Sequence, residues 1–182
     1  MEGRQGESMS RKCGNCTLCC KLLPQAELNK AAGQRCQHQR HTGCRIYPRR
    51  PASCRLWSCM WLVGDGTEAM SRPDVSHYVV DVMPDYVTAV SDTGERQTIG
   101  VLQVWVDPRH PDAHRDPALR AFLDRYGGEK GMAAIIRYGS SEGFTLFPPS
   151  LTGGRWIEHR GGIAEHEHSA AEKMEVLGGL FA

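Results

Sequence analysis

Eight cysteines crowd between Cys13 and Cys59 in the order C-x2-C-x2-C-C-x15-C-x7-C-x9-C-x4-C, and none follows in the rest of the 182-residue chain. Cysteines used as small buried hydrophobes scatter through a core, and these do not. Disulfides need an oxidising compartment. Residues 1–12 carry no apolar leader, and no stretch approaches the roughly 20 apolar residues of a membrane span, so the expectation is a cytoplasmic chain without a membrane partner, its thiols reduced. Metal ligation remains, because a C-x-x-C pair lets one tight turn present two thiolates to a single tetrahedral ion or cluster. Cys13, Cys16, Cys19, Cys20, Cys36, Cys44, Cys54 and Cys59 are the candidate ligands.

Eight ligands match two four-thiolate sites, holding either zinc ions or iron-sulfur clusters; one site with spare redox cysteines is also arithmetically allowed. Cys19 and Cys20 are neighbours, and consecutive side chains diverge sharply on a strand and by about 100° on a helix. Pro51 suits the first turn of a helix that would run to Val63 and stop at Gly64-Asp65-Gly66. On such a helix Cys54 and Cys59 stand about 140° apart around the axis. Either the helix distorts there or the two feed different centres. The C-x2-C-x2-C opening is that of cluster-binding ferredoxins, but Cys20 follows Cys19 where those continue with x3-C-P. His38 and His41 could add nitrogen ligands, which would favour zinc, although a full set of thiolates leaves them on a polar loop beside Gln37, Gln39 and Arg40.

Charge is distributed unevenly. Residues 1–60 hold 11 Lys and Arg against 3 Asp and Glu, a net +8, and residues 61–182 hold 11 against 18, a net −7. A basic segment normally implies nucleic acid, but no nucleic-acid-binding motif accompanies this one. Thiolates are a nearer counterion: Arg11, Lys12, Arg35, Arg40, Arg45, Arg49, Arg50 and Arg55 can offset the negative charge of a thiolate centre and donate to its sulfurs.

The cysteines and their neighbours also form a pattern. Cys13-x2-Cys16-x2-Cys19-Cys20, then Cys36, Gly43-Cys44-x-Ile46-Tyr47, and Arg50-Pro51-x2-Cys54-Arg55-x-Trp57-x-Cys59 together resemble the bacterial CxxCxxCC family of zinc- or iron-chelating proteins, also called YkgJ-like cysteine-cluster proteins. The resemblance covers residues 13–61, with a looser echo in Arg72-Pro73-Asp74. It implies a metal site more firmly than a reaction.

The elements that must position the thiols follow from periodicity. His77 to Val82, Tyr86 to Val90 and Val101 to Val106 are β-rich runs, punctuated at Pro84-Asp85 and Asp92-Thr93-Gly94. Asp116 can cap a helix that Pro117 starts, along which Leu119, Phe122, Leu123 and Tyr126 recur at i, i+3, i+4 and i+7 before Gly127. Ala133 to Tyr138 and Phe144 to Phe147 read as a hairpin, and Ile163 to Leu177 as a weaker helix. The expected fold is α+β: a flexible N-terminus over residues 1–12, a cysteine-rich metal-binding lobe over 13–63, and a small β-rich α+β body over 64–182 forming one compact domain with it.

Other chemistry is sparse. Asp107, His110, Asp112, His114 and Asp116 share a Pro-rich loop that could make a hard-metal or acid-base site, although Asp116 is already explained as a cap. Glu158, His159, Glu165, His166, Glu167 and His168 form a His-rich tail whose spacing matches no strong metal signature. Gly127-Gly128-x2-Gly131 lacks the context of a phosphate loop. Two functional classes remain. One is a redox or metal- and cluster-handling protein, including an iron-sulfur enzyme of oxidoreductase type; the other is a structural-zinc protein whose β-rich part binds a protein partner.

Overall fold

The computed structural model describes residues 11–83, 85–90 and 93–160. The fold is mixed α and β. In chain order it comprises α1 (Leu18–Leu22), a two-residue-strand hairpin β1 (Gln39–Arg40) and β2 (Gly43–Cys44), then α2 (Ala52–Leu56), α3 (Met60–Val63) and α4 (Pro73–Ser76). The body continues with β3 (Tyr78–Val80), β4 (Asp85–Val90), β5 (Arg96–Val106), α5 (Pro117–Lys130), β6 (Ala133–Arg137), β7 (Gly143–Phe147), α6 (Pro149–Thr152) and β8 (Ile157–His159). Among the described residues no helix is long and apolar enough to cross a membrane.

The main sheet has the order β3-β5-β6-β7-β8, with β4 sharing the β3 edge of β5. The eleven-residue β5 accepts β4 along Arg96 to Val101 and β3 along Val104 to Val106, both antiparallel. On its other side β6 runs parallel to it, and α5 makes the crossover that a parallel pair requires. The remaining pairs are antiparallel, including the expected β6–β7 hairpin.

Period-2 alternation divides the sheet into two apolar faces. Tyr78, Val80, Leu102, Val104, Val106, Ala134 and Ile136 pack with Leu119, Phe122 and Leu123 of α5. The opposite face presents Val79 and Trp105, paired across β3 and β5, to Leu18, Leu22 and Cys59. β5 is therefore covered on both sides around Val104 to Val106, while Val101, further back in its buried run from Gly100, packs with Ala133 and Ile135 of β6.

Two expectations about helices need correction. The run from Pro51 to Val63 is not one helix: it ends at Leu56, Trp57 and Cys59 are extended, and Met60 starts a second short helix. The tertiary reason is Asp81, whose carboxylate accepts the Trp57 indole N–H at 2.9 Å while its backbone forms a bridge with Cys59. Gly127, expected to stop α5, lies inside it; the helix ends at Gly131, whose φ of 65° is the left-handed cap. Asp116 caps the start as anticipated, accepting from the Ala118 N–H at 3.0 Å. The segment from Ile163 to Leu177 lies outside the described residues.

Gly127 serves close approach instead. A Cβ there would stand 2.5 Å from Pro148 Cγ and 2.7 Å from Ser150 Oγ, whereas one on Gly128 would meet Ser150 Cβ at an ordinary 3.5 Å. Gly127→Val should thus cost about 1–3 kcal/mol by overpacking, while Gly128→Ala, with its better helix propensity, should be neutral or stabilising by up to about 1 kcal/mol. Urea unfolding of the two variants checks this contrast.

Candidate metal centre

The eight thiols sit on short irregular elements held by specific bonds. Cys13 and Cys16 occupy one turn, closed by the Cys16 N–H on the Cys13 carbonyl at 3.0 Å. α1 carries Cys19 and Cys20, and the Cys20 carbonyl accepts from the Cys36 N–H at 2.9 Å. Cys44 lies on β2, whose hairpin is tied to the start of α1 by Gln39 Nε2 on Thr17 Oγ1 at 2.7 Å. Cys54 lies on α2, and the carboxylate of Glu27 accepts the Ala52 and Ser53 N–H groups at its N-terminus, where a negative charge is favourable. Cys59 begins α3 against the sheet. All eight are free; Cys13 is exposed, Cys59 is buried and the rest are half-buried.

Electrostatics sorts them into two groups. Burial pushes the Cys59 thiol up to about 11, with Cys13 and Cys16 acting in the same direction. Its hydrogen bond to Cys20, then burial, raises Cys19 well above the ordinary thiol range, and Cys16 and Cys59 add to the effect. Burial raises Cys54, reinforced by Cys20, Cys36 and Cys44. Cys13, Cys16 and Cys19 thus lie near Cys59, and Cys20, Cys36 and Cys44 near Cys54, while Cys19 also touches Cys20 and acts on Lys30. The Cys19 and Cys20 thiols meet in a hydrogen bond, where divergence of consecutive side chains was expected. The hydrogen bond from Cys19, with Lys30 and Arg50 assisting, lowers Cys20 to about 7.

The environments of the sets differ. Cys16 and Cys59 pack with Leu18, Leu22, Trp57, Trp61, Val79 and Trp105. At their outer side Arg72 and Asp74 form a two-pronged pair at 2.6 and 2.8 Å, and both act on Cys16. The second set is polar: Gln25 Nε2 donates to Cys54 Sγ at 3.0 Å, and the ammonium of Lys30 lies close enough for Cys36, Cys20, Cys19 and Cys54 to act on it. Gln25 and Lys30 were not anticipated from the sequence. Lys30 is an isolated cation between Asn29 and Ala31 and Gln25 has no charge, so neither carried a signal.

The arginines are redistributed relative to expectation. Arg11 donates to Trp61 O at 2.7 Å and to Thr67, bracing the chain instead of a sulfur. Arg35, Arg40, Arg45 and Arg49 are exposed, with no side-chain hydrogen bond or ion pair among the described residues; Arg55 is exposed as well. Of the basic residues anticipated as counterions, Arg50 acts on a thiol, stacking on Tyr47 at 3.7 Å and lowering Cys20. Residues 35–55 thus form a solvated basic face. His38 is half-buried and His41 exposed on the same hairpin.

Of the Pro-rich loop candidates, Asp107 and His110 come together beside His77, without His114 or Asp116. His114 is buried, its Nδ1 2.7 Å from the Pro111 carbonyl, and Asp116 caps α5 while accepting the Tyr78 hydroxyl at 2.8 Å. Glu158 and His159 lie on β8; residues 165–168 fall outside the described residues. Comparison with known proteins finds no matching family model, no matching curated protein and no matching solved structure.

The link between the cysteine-bearing segment and the sheet is Lys21, adjacent to Cys20, whose ammonium lies 2.5 Å from Asp107 Oδ2. Asp107 is only 2% exposed. Lys21→Met should therefore destabilise the protein by about 2 kcal/mol, less than the roughly 3–5 kcal/mol of a fully buried pair because Arg109 also reaches that carboxylate. Asp107→Asn in the same chain should recover part of the loss, as a double-mutant cycle in urea would read.

Proposed function

We propose that this chain is a cysteine-cluster protein that holds two four-thiolate centres, iron-sulfur clusters in this reading, and handles electrons or clusters through them. What supports the proposal is that Cys13, Cys16 and Cys19 lie near Cys59 while Cys20, Cys36 and Cys44 lie near Cys54. Cys13, Cys16, Cys19 and Cys59 would hold one centre and Cys20, Cys36, Cys44 and Cys54 the other. The resemblance of residues 13–61 to the YkgJ-like CxxCxxCC family points to the same ligands.

Four thiolates per centre could hold either an iron-sulfur cluster or one zinc ion, and the cluster is the reading put to the test. When bound, such a cluster supplies one-electron transfer.

The chain's own residues would make the centres unequal. Apolar packing around Cys16 and Cys59 would make one side of the first set less polar, although Cys13 is exposed, whereas Gln25, Lys30 and Arg50 place donors and positive charge beside the second. Hydrogen bonds to sulfur and nearby cations favour the reduced, more negative cluster, so the second set would have the higher potential. If Cys19 and Cys20 serve different centres, their adjacency would bring the two close together, a short path for an electron. The exposed arginines of residues 35–55 suit an acidic protein partner.

Anaerobic purification followed by iron, sulfide and zinc analysis and a visible spectrum tests the reading. Iron with sulfide and a broad brown absorbance is the expected result; colourless, stoichiometric zinc would replace it with a structural-zinc protein. Cys16→Ser and Cys54→Ser should each lose one centre, about half of the bound metal, and retain the other, because serine is a poor, protonated substitute for a thiolate. Stripping the metal should leave residues 13–59 sensitive to protease while the sheet resists, since ligation would supply much of the order in that segment.

A further inference from the structure

His77, Asp107 and His110 meet at the end of the sheet, with no cysteine among them. One ring nitrogen of each histidine and one carboxylate oxygen all lie within 4.8 Å of one another. The three are tied together through the backbone: the Asp107 N–H donates to the His77 carbonyl at 2.9 Å, and the His110 N–H donates to the Asp107 carbonyl at 2.8 Å. His77 is held in the left-handed region at φ 63°, capping α4. A histidine there carries local strain, of a kind that collects at functional positions.

We propose that these three residues form a second, sulfur-free site for one divalent first-row transition ion. Two imidazoles and one carboxylate are the donor set that suits zinc, iron, cobalt or nickel, in contrast to the all-oxygen sets of magnesium and calcium. The Asp107 carboxylate is fixed in place: Lys21 and Arg109 reach Oδ2, and the Arg109 N–H donates to Oδ1 at 3.1 Å. A carboxylate offers about four lone-pair sites, so capacity for an ion remains. Three protein ligands leave further coordination positions open, and His77 and His110 line an open cleft with Ser76, Asp112 and Arg115.

Binding requires one rearrangement. The imidazoles are stacked, their centroids 3.6 Å apart and their planes within 3°. An ion in the plane of one ring is therefore out of the plane of the other. His77 is fixed by its backbone and partly covered, whereas His110 is exposed on a turn, so His110 turns to splay the stack. Loss of the mutual ring-current shifts of the two rings is the signature of that motion.

The test uses the full chain as purified, its cysteine centres loaded, titrated anaerobically with Co2+. One equivalent should bind with weak visible absorption that lacks sulfur-to-cobalt charge transfer, and the shifts of the two histidine rings should change together. His110→Ala, on an exposed turn, and His77→Asn, which keeps a residue tolerant of the left-handed region, should each weaken cobalt binding on the order of 100-fold, the upper end of what even an outer-shell partner costs. The cysteine-bound metal should be unchanged in both. The proposal is overturned if cobalt binds only with sulfur charge transfer, if no saturable equivalent is seen, or if both variants bind as tightly as the unaltered chain.

Discussion

Burial of β5 on both faces, with α5 against one and the cysteine-bearing segment against the other, is the constraint on which the remaining arrangement depends. A strand in that position has no polar face, so each side must be covered from elsewhere in the chain. α5 covers one side because it lies in the crossover between the parallel strands β5 and β6. The other side is left to residues that precede the sheet in sequence. Leu18, Leu22, Trp57 and Cys59 cover Val79 and Trp105, and in doing so bring the thiols onto the sheet.

That docking is economical in apolar surface and rich in directed bonds. Lys21 to Asp107, Trp57 to Asp81, Arg11 to Trp61 and Thr67, and the Cys59–Asp81 bridge all join the segment to the body or to the loop leading into it. Directed bonds hold orientation better than apolar contact does, which is what a set of ligands needs. The same geometry sets the contrast between the two thiol groups. Cys59 lies on the sheet and shares its dryness, while Cys54, five residues earlier, faces Gln25 near the surface.

Asp107 joins the two parts of the molecule through its side chain and its main chain at once. Its carboxylate receives Lys21 from α1, and its backbone groups bond to His77 and His110. Any ion held by the histidines would share a carboxylate with the cation next to Cys20. The thiol segment and the histidine cleft are thus mechanically adjacent, although they share no ligand type.

Local chemistry was sufficient for part of this. The spacing of the eight cysteines singled out the thiols, alternation and turn residues marked β3 to β7, and Asp116 with Pro117 marked the start of α5, because each signal is carried by residues close in sequence. The grouping of the thiols, the break between Cys54 and Cys59, the role of Gly127 and the cation at Lys30 were decided only in three dimensions. Each depends on a partner distant in sequence: Asp81 for the break, Pro148 and Ser150 for the glycine, the assembled sulfurs for the lysine. His77 is the clearest case. Thirty residues separate it from Asp107, and only the pairing of β3 with β5 brings its ring against that of His110.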